Sequence, residues 1–347
     1  MDISSRQQHI MSYLLANFNT LPQLISMQYF KNITERTLQR DLNELIEKEL
    51  VIRHGEARAV SYEVSDRGRI GLMLPEAQLE DIFSNETRKS LSYDFSRLDL
   101  LKRTDLFNES EFELLDYYNS IYQKKLKSAP QDIIKRERER IAVELSWKSS
   151  QFEGNTYSLL ETETLIKEGI AASGKSKEET TMVINHKKAL DFSEANRGLF
   201  TSELTTKSVI SLHKLLAEGL FDYGIRARSV GITGSVYKPL DNKFKLEEEL
   251  DRLCKVINSK DSVYEKALLA FTYICYLQPF SDGNKRTGRI LANAILYSHN
   301  SFPLSLRAVD VNTYKLAIIA FYELGTLGNS KKVFIDQAKY SADNYAI

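Results

Sequence analysis

The chain has 347 residues, 42% of them apolar, with 47 Lys and Arg against 47 Asp and Glu. That length supports two or three domains with ordinary cores, and the charge balance leaves no global field to select a nucleic acid or membrane, so any anion site must be local. No run approaches the roughly 18 to 20 apolar residues of a membrane span, MDISSRQQHI lacks the apolar core of a secretory signal, and Cys254 and Cys275 lack metal-ligand spacing, which together predict a cytoplasmic protein with no membrane contact.

In chain order, residues 5–18 and 21–30 show apolar residues at helical spacing. Thr34 caps a third helix whose Leu38, Leu42, Leu45 and Ile46 make one apolar stripe, while Arg36, Gln39, Arg40 and Asn43 face elsewhere. Val51–His54 and Ser61–Val64 read as a hairpin with Arg58 near its tip. Three short helices followed by a hairpin resemble a winged helix-turn-helix domain. Gln39 and Asn43 are residue types that read base edges, so duplex DNA is one expected partner. The competing reading is protein contact or dimerisation, because acids and bases cancel over residues 1–70 and counterion release favours a basic excess.

Residues 71–125 form a mixed connector with helical stretches at Glu76–Phe83 and Glu109–Lys125 and no visible chemistry. Ala129-Pro130-Gln131 breaks the chain, and Asp132–Phe152 follows as a charged, then apolar, helix. At its end stands SSQFEGN: Ser149 and Glu153 share one helix face, and Gly154 predicts the helix stop, leaving a carboxylate at the negative end of the dipole in need of a cation. Taken alone, Glu153 also reads as an ordinary exposed residue before a glycine. Two amphipathic helices lie within Leu159–Phe192 and another at Thr206–Glu218. Their His186 and His213 have apolar neighbours and read as structural. Gly224–Pro239 switches to β-branched, glycine-rich sequence, predicting a hairpin. Helices are expected at Phe244–Ile257, Tyr264–Leu277, Thr287–Ser298, Val311–Leu324 and Lys331–Tyr345.

The stretch Tyr276–Arg289, YLQPFSDGNKRTGR, sets an acid, Asp282, before a Gly-Asn turn and three cations, Lys285, Arg286 and Arg289, at a helix start. Such a turn aims backbone N–H groups and the dipole's positive end at one spot, as a phosphate needs. Asp282 beside an anion suggests a bridging Mg²⁺. A P-loop is excluded, because Arg289-Ile290 follow Gly288 where Lys and Ser/Thr are required.

The order Phe280, Asp282, Gly283, Asn284, Lys285, Arg286, Arg289 resembles the signature of Fic proteins, His-x-Phe-x-(Asp/Glu)-Gly-Asn-(Gly/Lys)-Arg-x-x-Arg, over a chain segment of about 145–325. The resemblance implies ATP and Mg²⁺ as cofactors and transfer of AMP to a Ser, Thr or Tyr hydroxyl of a target protein. Some relatives with Lys at the position of Lys285 transfer phosphate instead, but Gly283 and the inhibitory motif fit the AMP-transferring branch better. By the same resemblance Asp282 holds the metal, Gly283, Asn284, Lys285, Arg286 and Arg289 bind the nucleotide, and Asn284 and Arg286 take part in catalysis. Ser149, Glu153 and Gly154 match the family's inhibitory motif, whose Glu pairs with the second arginine, here Arg289. Val230, Gly231, Ile232, Thr233, Gly234, Ser235, Val236 and Tyr237 correspond to the target-binding flap, and pairing as a homodimer is implied as well.

One position departs from the pattern: Gln278 stands where the family has its general-base histidine. A carboxamide has no titrating proton near neutrality, and a positioned base contributes typically about 10² to 10⁴-fold. Nucleotide binding is expected to survive and transfer to be slow. The alternative is a catalytically silent, nucleotide-responsive DNA-binding regulator. The expected architecture is mainly α: an all-helical Fic core with a β-hairpin flap, plus an N-terminal winged helix-turn-helix. Residues 1–70 are the winged helix, 71–130 a helical connector, and 131–347 the Fic domain with its inhibitory helix at about 140–155.

Overall fold

The computed structural model describes residues 3–15, 19–84, 88–201 and 203–345, with the Arg58 side chain outside the described residues. The expected DNA contact at Arg58 and the end of the first predicted helix at 16–18 therefore lie outside it.

The chain opens with α1 (Ser5–Leu15), α2 (Leu21–Ser26) and α3 (Glu35–Glu47), then an antiparallel hairpin of β1 (Val51–His54) and β2 (Ser61–Val64) pairing Val51 with Val64 and His54 with Ser61. The helix expected over 21–30 splits, because α2 ends at an extended Met27 and Gln28–Phe30 continues as a short 3₁₀ turn. Short α4 (Asp66–Gly71) and α5 (Glu76–Ser84) lead into β3 (Leu91–Ser92), α6 (Ser96–Arg103) and α7 (Glu109–Ser128).

The larger part is helical. It comprises α8 (Gln131–Phe152), α9 (Leu159–Glu168), α10 (Lys177–Ala195), α11 (Gly198–Thr201), α12 (Thr206–Ala217), a two-residue β4 (Tyr237–Lys238), α13 (Lys243–Ser259), α14 (Val263–Leu277), α15 (Asn284–Ser298), α16 (Val311–Leu324) and α17 (Gly328–Asn344). Side-chain caps open several of these helices, among them Ser158, Ser176, Thr205, Asn242 and Asp310, each accepting from a backbone N–H that the first turn leaves without a partner.

α14 carries apolar side chains on nearly every side, VYEKALLAFTYICYL, and is accordingly the central helix, buried from Ala267 to Leu277. α15 packs tightly on it, because Gly288 lets the backbones approach: a Cβ there would meet the Ala270 carbonyl oxygen at 3.0 Å.

Two cores result. One centres on α14 and α15 and takes in Leu98, Leu106 and Phe107 of the connector. The other is built from α1, α3 and the hairpin, and Leu316, Ala320 and Leu324 of α16 complete it. α16 thus turns one face to the N-terminal unit and another, with Tyr314, Ile318 and Tyr322, toward the region of the signature turn. Among the described residues no helix is long and apolar enough to cross a membrane.

Candidate active site

α14 ends at Gln278, which adopts the left-handed conformation (φ 51°) and closes the helix through its N–H to the Ile274 carbonyl at 3.1 Å. The chain then turns through Pro279–Gly283. Gly283 has φ 76° with the Phe221 ring against its Cα, so an added Cβ would lie 2.9 Å from that ring. The next helix starts at Asn284, three residues earlier than the sequence predicts, because left-handed Gly283 serves as its N-cap. Asn284 holds the turn: its Nδ2 donates to the Phe280 carbonyl (2.9 Å) and its Oδ1 accepts from the Phe280 N–H (2.9 Å). His213 braces the turn from outside, stacked on Phe280 with centroids 3.7 Å apart and with Nε2 3.0 Å from the Asp282 carbonyl.

Glu153, the residue capping the end of α8, reaches this helix start. One carboxylate oxygen lies 2.7 Å from Arg289 Nη2 and the other 3.1 Å from Lys285 Nζ. Arg289 is wholly buried, and its other donors go to Ser149 Oγ (2.8 Å), the Ser149 carbonyl (3.0 Å) and Tyr314 Oη (2.9 Å). Burial alone would raise the Glu153 carboxyl, but Arg289 and Lys285 outweigh it and hold it down at about 2. Gly154 follows with φ 90°.

Arg286, one turn before Arg289, is 3% exposed and also cationic, yet only its Nη2 has an anionic partner, Asp282 at 2.8 Å. Its Nε and Nη1 are buried without a hydrogen-bond partner, and its guanidinium lies over the Phe221 ring at 4.8 Å. Unmet buried donors of a cation cost about 1–3 kcal/mol or more. The cleft at this helix start has a volume of about 440 Å³, within the usual range for a small-molecule site, and is lined by Glu153, Gln278, Asp282 to Lys285, Val230 to Thr233, and Tyr314, Ile318 and Tyr322, with Arg286 behind that lining.

Residues 203–296 match the Fic/DOC family. The chain carries a Fic domain. It is 28% identical over 175 residues to the protein adenylyltransferase Fic of Nematostella vectensis, covering 48% of this chain and 40% of that protein. It is 27% identical over 183 residues to protein adenylyltransferase fic-1 of Caenorhabditis elegans, covering 50% and 35%. The chain therefore spans well under two thirds of the curated relatives it matches. In fold it resembles Fic-1 (aa134–508) of C. elegans, with a TM-score of 0.57 at 19% identity over 98% of this chain and 90% of that one. It also resembles a Fic domain containing signaling protein of Bacteroides thetaiotaomicron, with a TM-score of 0.54 at 20% identity over 67% and 99%.

Within the Fic domain the substituted position has a settled local role. The Gln278 carboxamide donates to the Cys275 carbonyl (2.7 Å) and accepts from Asn284 Nδ2 (2.8 Å), so each end is bonded inside the turn. Its backbone carbonyl accepts from Arg226 Nε at 2.8 Å.

The flap differs from the expected hairpin. Among the described residues Val230–Val236 forms no ladder with its own segment. β4 pairs in parallel with β3 of the connector, Leu91 against Tyr237 and Ser92 against Lys238, and only Ile225 bridges to Phe280. Gly231, Gly234 and a tight turn, closed by the Ser235 N–H to the Ile232 carbonyl, interrupt the alternation a strand needs, while the connector offers an edge at Tyr237. Val230, Gly231, Ile232 and Thr233 border the cleft; Ser235, Val236 and Tyr237 root the segment to the helical body.

Sequence reasoning missed that root. Glu323 of α16, 3% exposed at its side chain, accepts from Ser235 Oγ (2.7 Å) and the Val236 N–H (3.0 Å) and pairs with Arg88 of the connector at 2.6 Å. The connector, read as carrying no chemistry, thus fixes one end of the flap. A lone Glu in an amphipathic helix gives no signal of this.

At the N-terminus Arg36, Arg40 and Asn43 are exposed and Gln39 half-buried along one side of α3, with Gln39 Nε2 donating to Asn43 Oδ1 at 3.1 Å. They lie on the N-terminal unit, apart from the residues that line the cleft.

Proposed function

We propose that this chain binds Mg-ATP in the cleft, transfers AMP to a hydroxyl of a protein target, is held shut by Glu153, and works slowly because Gln278 occupies the base position. One observation carries the reading: Glu153 bridges Arg289 and Lys285 while Arg286, a turn away, keeps two buried donors unpartnered. A carboxylate placed there imitates part of a polyphosphate, and the unmet donors fit the rest of one. The names of the curated relatives, protein adenylyltransferases, support the same reaction class.

In this reading Arg286, Lys285, Arg289 and the N–H groups at the start of α15 bind phosphate oxygens, and Glu153 competes for two of those cations. Asp282, 62% exposed at its side chain with its oxygens toward the Gly283 N–H and Arg286, would hold Mg²⁺, which would neutralise phosphate charge. Val230–Thr233 offers backbone to an incoming target strand at the cleft's edge. Gln278 has no basic nitrogen to take the hydroxyl proton, and its carboxamide is already bonded at each end, so the attack loses its base and keeps the electrostatic donors.

The test is incubation of the wild type, Glu153→Gly and Gln278→His with Mg²⁺ and α- or γ-labelled ATP. The reading expects α-label on protein in Glu153→Gly, more in Glu153→Gly with Gln278→His, and none from γ. Label from γ alone assigns phosphate transfer instead.

The Gln278 carboxamide, held by Cys275 and Asn284 and without a basic nitrogen, favours a second reading, in which residues 1–70 form a winged helix, residues 71–130 a connector, and the Fic domain of 131–347 is a silent ATP sensor biasing DNA binding through Arg36, Gln39, Arg40 and Asn43. No label in any variant, with ATP bound and salt-dependent duplex affinity changed by it, would select this reading.

A further inference from the structure

The inhibitory contact depends on more than the residues that make it. The guanidinium that meets Glu153 is also held by Ser149, through both the hydroxyl and the carbonyl, and by Tyr314. Arg289 has no acceptor and can only donate to the Ser149 oxygen, so the Ser149 proton must find its acceptor elsewhere. A third helix supplies it.

His186 of α10 is fully buried, with Nδ1 2.8 Å from the Met182 carbonyl and Nε2 2.7 Å from Ser149 Oγ. A carbonyl only accepts, so Nδ1 carries the proton. Burial, with Arg286 and Arg289 nearby, keeps the ring neutral by pulling its pKa down to about 3. In the neutral ring Nε2 then bears the lone pair, and the Ser149 hydroxyl must donate to it. Ser150 Oγ also lies 3.3 Å from Nδ1. With its proton engaged, Ser149 Oγ presents lone pairs to Arg289 Nε at 2.8 Å.

We propose that His186 is a positioning residue of the inhibitory contact: by accepting the Ser149 proton it fixes the hydroxyl with its lone pairs toward Arg289, and so helps present Arg289 to Glu153. The tautomer fixes the two bonds of the ring, to Met182 and from Ser149, and Arg289, a donor only, fixes those to Ser149 and Glu153. The inference rests on the reading of Glu153 as a bar to ATP.

The test is calorimetric titration of the full chain with Mg-ATP. His186→Ala is expected to tighten ATP binding about fivefold, the effect of one hydrogen bond. His186→Gln, whose carboxamide can accept from Ser149 and donate to Met182, is expected to bind as the wild type does. In a Glu153→Gly background His186→Ala should tighten nothing, which a merely structural role would not foresee. Should His186→Ala fail to fold, Ser149→Ala decides: it removes the same link from the other end and is expected to tighten binding similarly. Glu153→Gly tightening while both His186→Ala and Ser149→Ala stay at wild-type affinity overturns the inference alone, as does equal tightening by His186→Ala with and without Glu153. If Glu153→Gly itself changes nothing, the reading of the inhibitory contact falls and this inference with it.

Discussion

Arg286 and Arg289 stand one turn apart on α15 and are equally buried, yet their surroundings differ in kind. Arg289 has its donors met by Ser149, Tyr314 and Glu153, all from the chain itself. Arg286 has an exposed Asp282 on one nitrogen and nothing on the other two. A protein interior tolerates the second arrangement poorly unless something else completes it. The contrast teaches that this helix start holds one cation whose donors the chain itself meets and another whose donors it leaves open, which is where the proposed nucleotide would act.

The largest effect should come from removing the unfinished side. With Glu153→Gly as the parent, Arg286→Ala is expected to weaken Mg-ATP binding by about 100-fold, since charge-assisted hydrogen bonds contribute roughly 1.5–3 kcal/mol each. Calorimetry showing less than a threefold change would erase the distinction between the two arginines.

Removing the finished side should act on folding instead. Arg289→Met leaves Glu153 with Lys285 alone and is expected to cost about 3 kcal/mol in urea unfolding, the usual effect of orphaning one member of a buried pair. Unchanged stability would mean that the pair is solvated.

Acid sharpens the comparison further. Glu153 titrates at about 2 in the folded chain against an ordinary 4.5, so its contribution is complete above pH 4.5 and lost as pH falls toward 2. His186 and His213 are lowered, first by burial, to about 3 and about 4 from 6.5, so each stabilises the fold above pH 6.5 and loses that contribution as pH falls through the window below it. The urea midpoint should decline from pH 6.5 and steepen below 4.5. Glu153→Gln should soften the steepening and leave the upper slope; an altered upper slope would contradict the assignment.

The smallest effect belongs to the flap root. Glu323→Gln keeps one acceptor for Ser235 and Val236 but loses the charge facing Arg88, and about 1 kcal/mol of stability should go with it. Faster amide exchange at Val236 with little change near Arg289 would place the loss in the flap.

Features carried by local chemistry were legible in the sequence. Leu38, Leu42 and Leu45 at helical spacing gave α3, and the all-apolar run of α14 gave a buried central helix. The pairing of Glu153 with Arg289 was legible because each sits in a motif of its own, although 136 residues separate them. Contacts between remote segments with no motif were not legible. Nothing near Leu91 announces that it will take the edge of Tyr237, and nothing in α16 says that Leu316 and Tyr314 serve different cores. His186 was read as structural, which its burial bears out, but its hydrogen bond to Ser149 depends on how α8 and α10 cross. The early start of α15 also escaped, because a glycine N-cap in the left-handed region leaves no side-chain signature.

The central claim is that Glu153 occupies ground a nucleotide needs, and the affinity of Mg-ATP for the wild type and for Glu153→Gly, measured side by side by calorimetry at neutral pH, tests it most directly. The account predicts at least tenfold tighter binding in the variant. Equal affinities, or no binding by either protein, would contradict it.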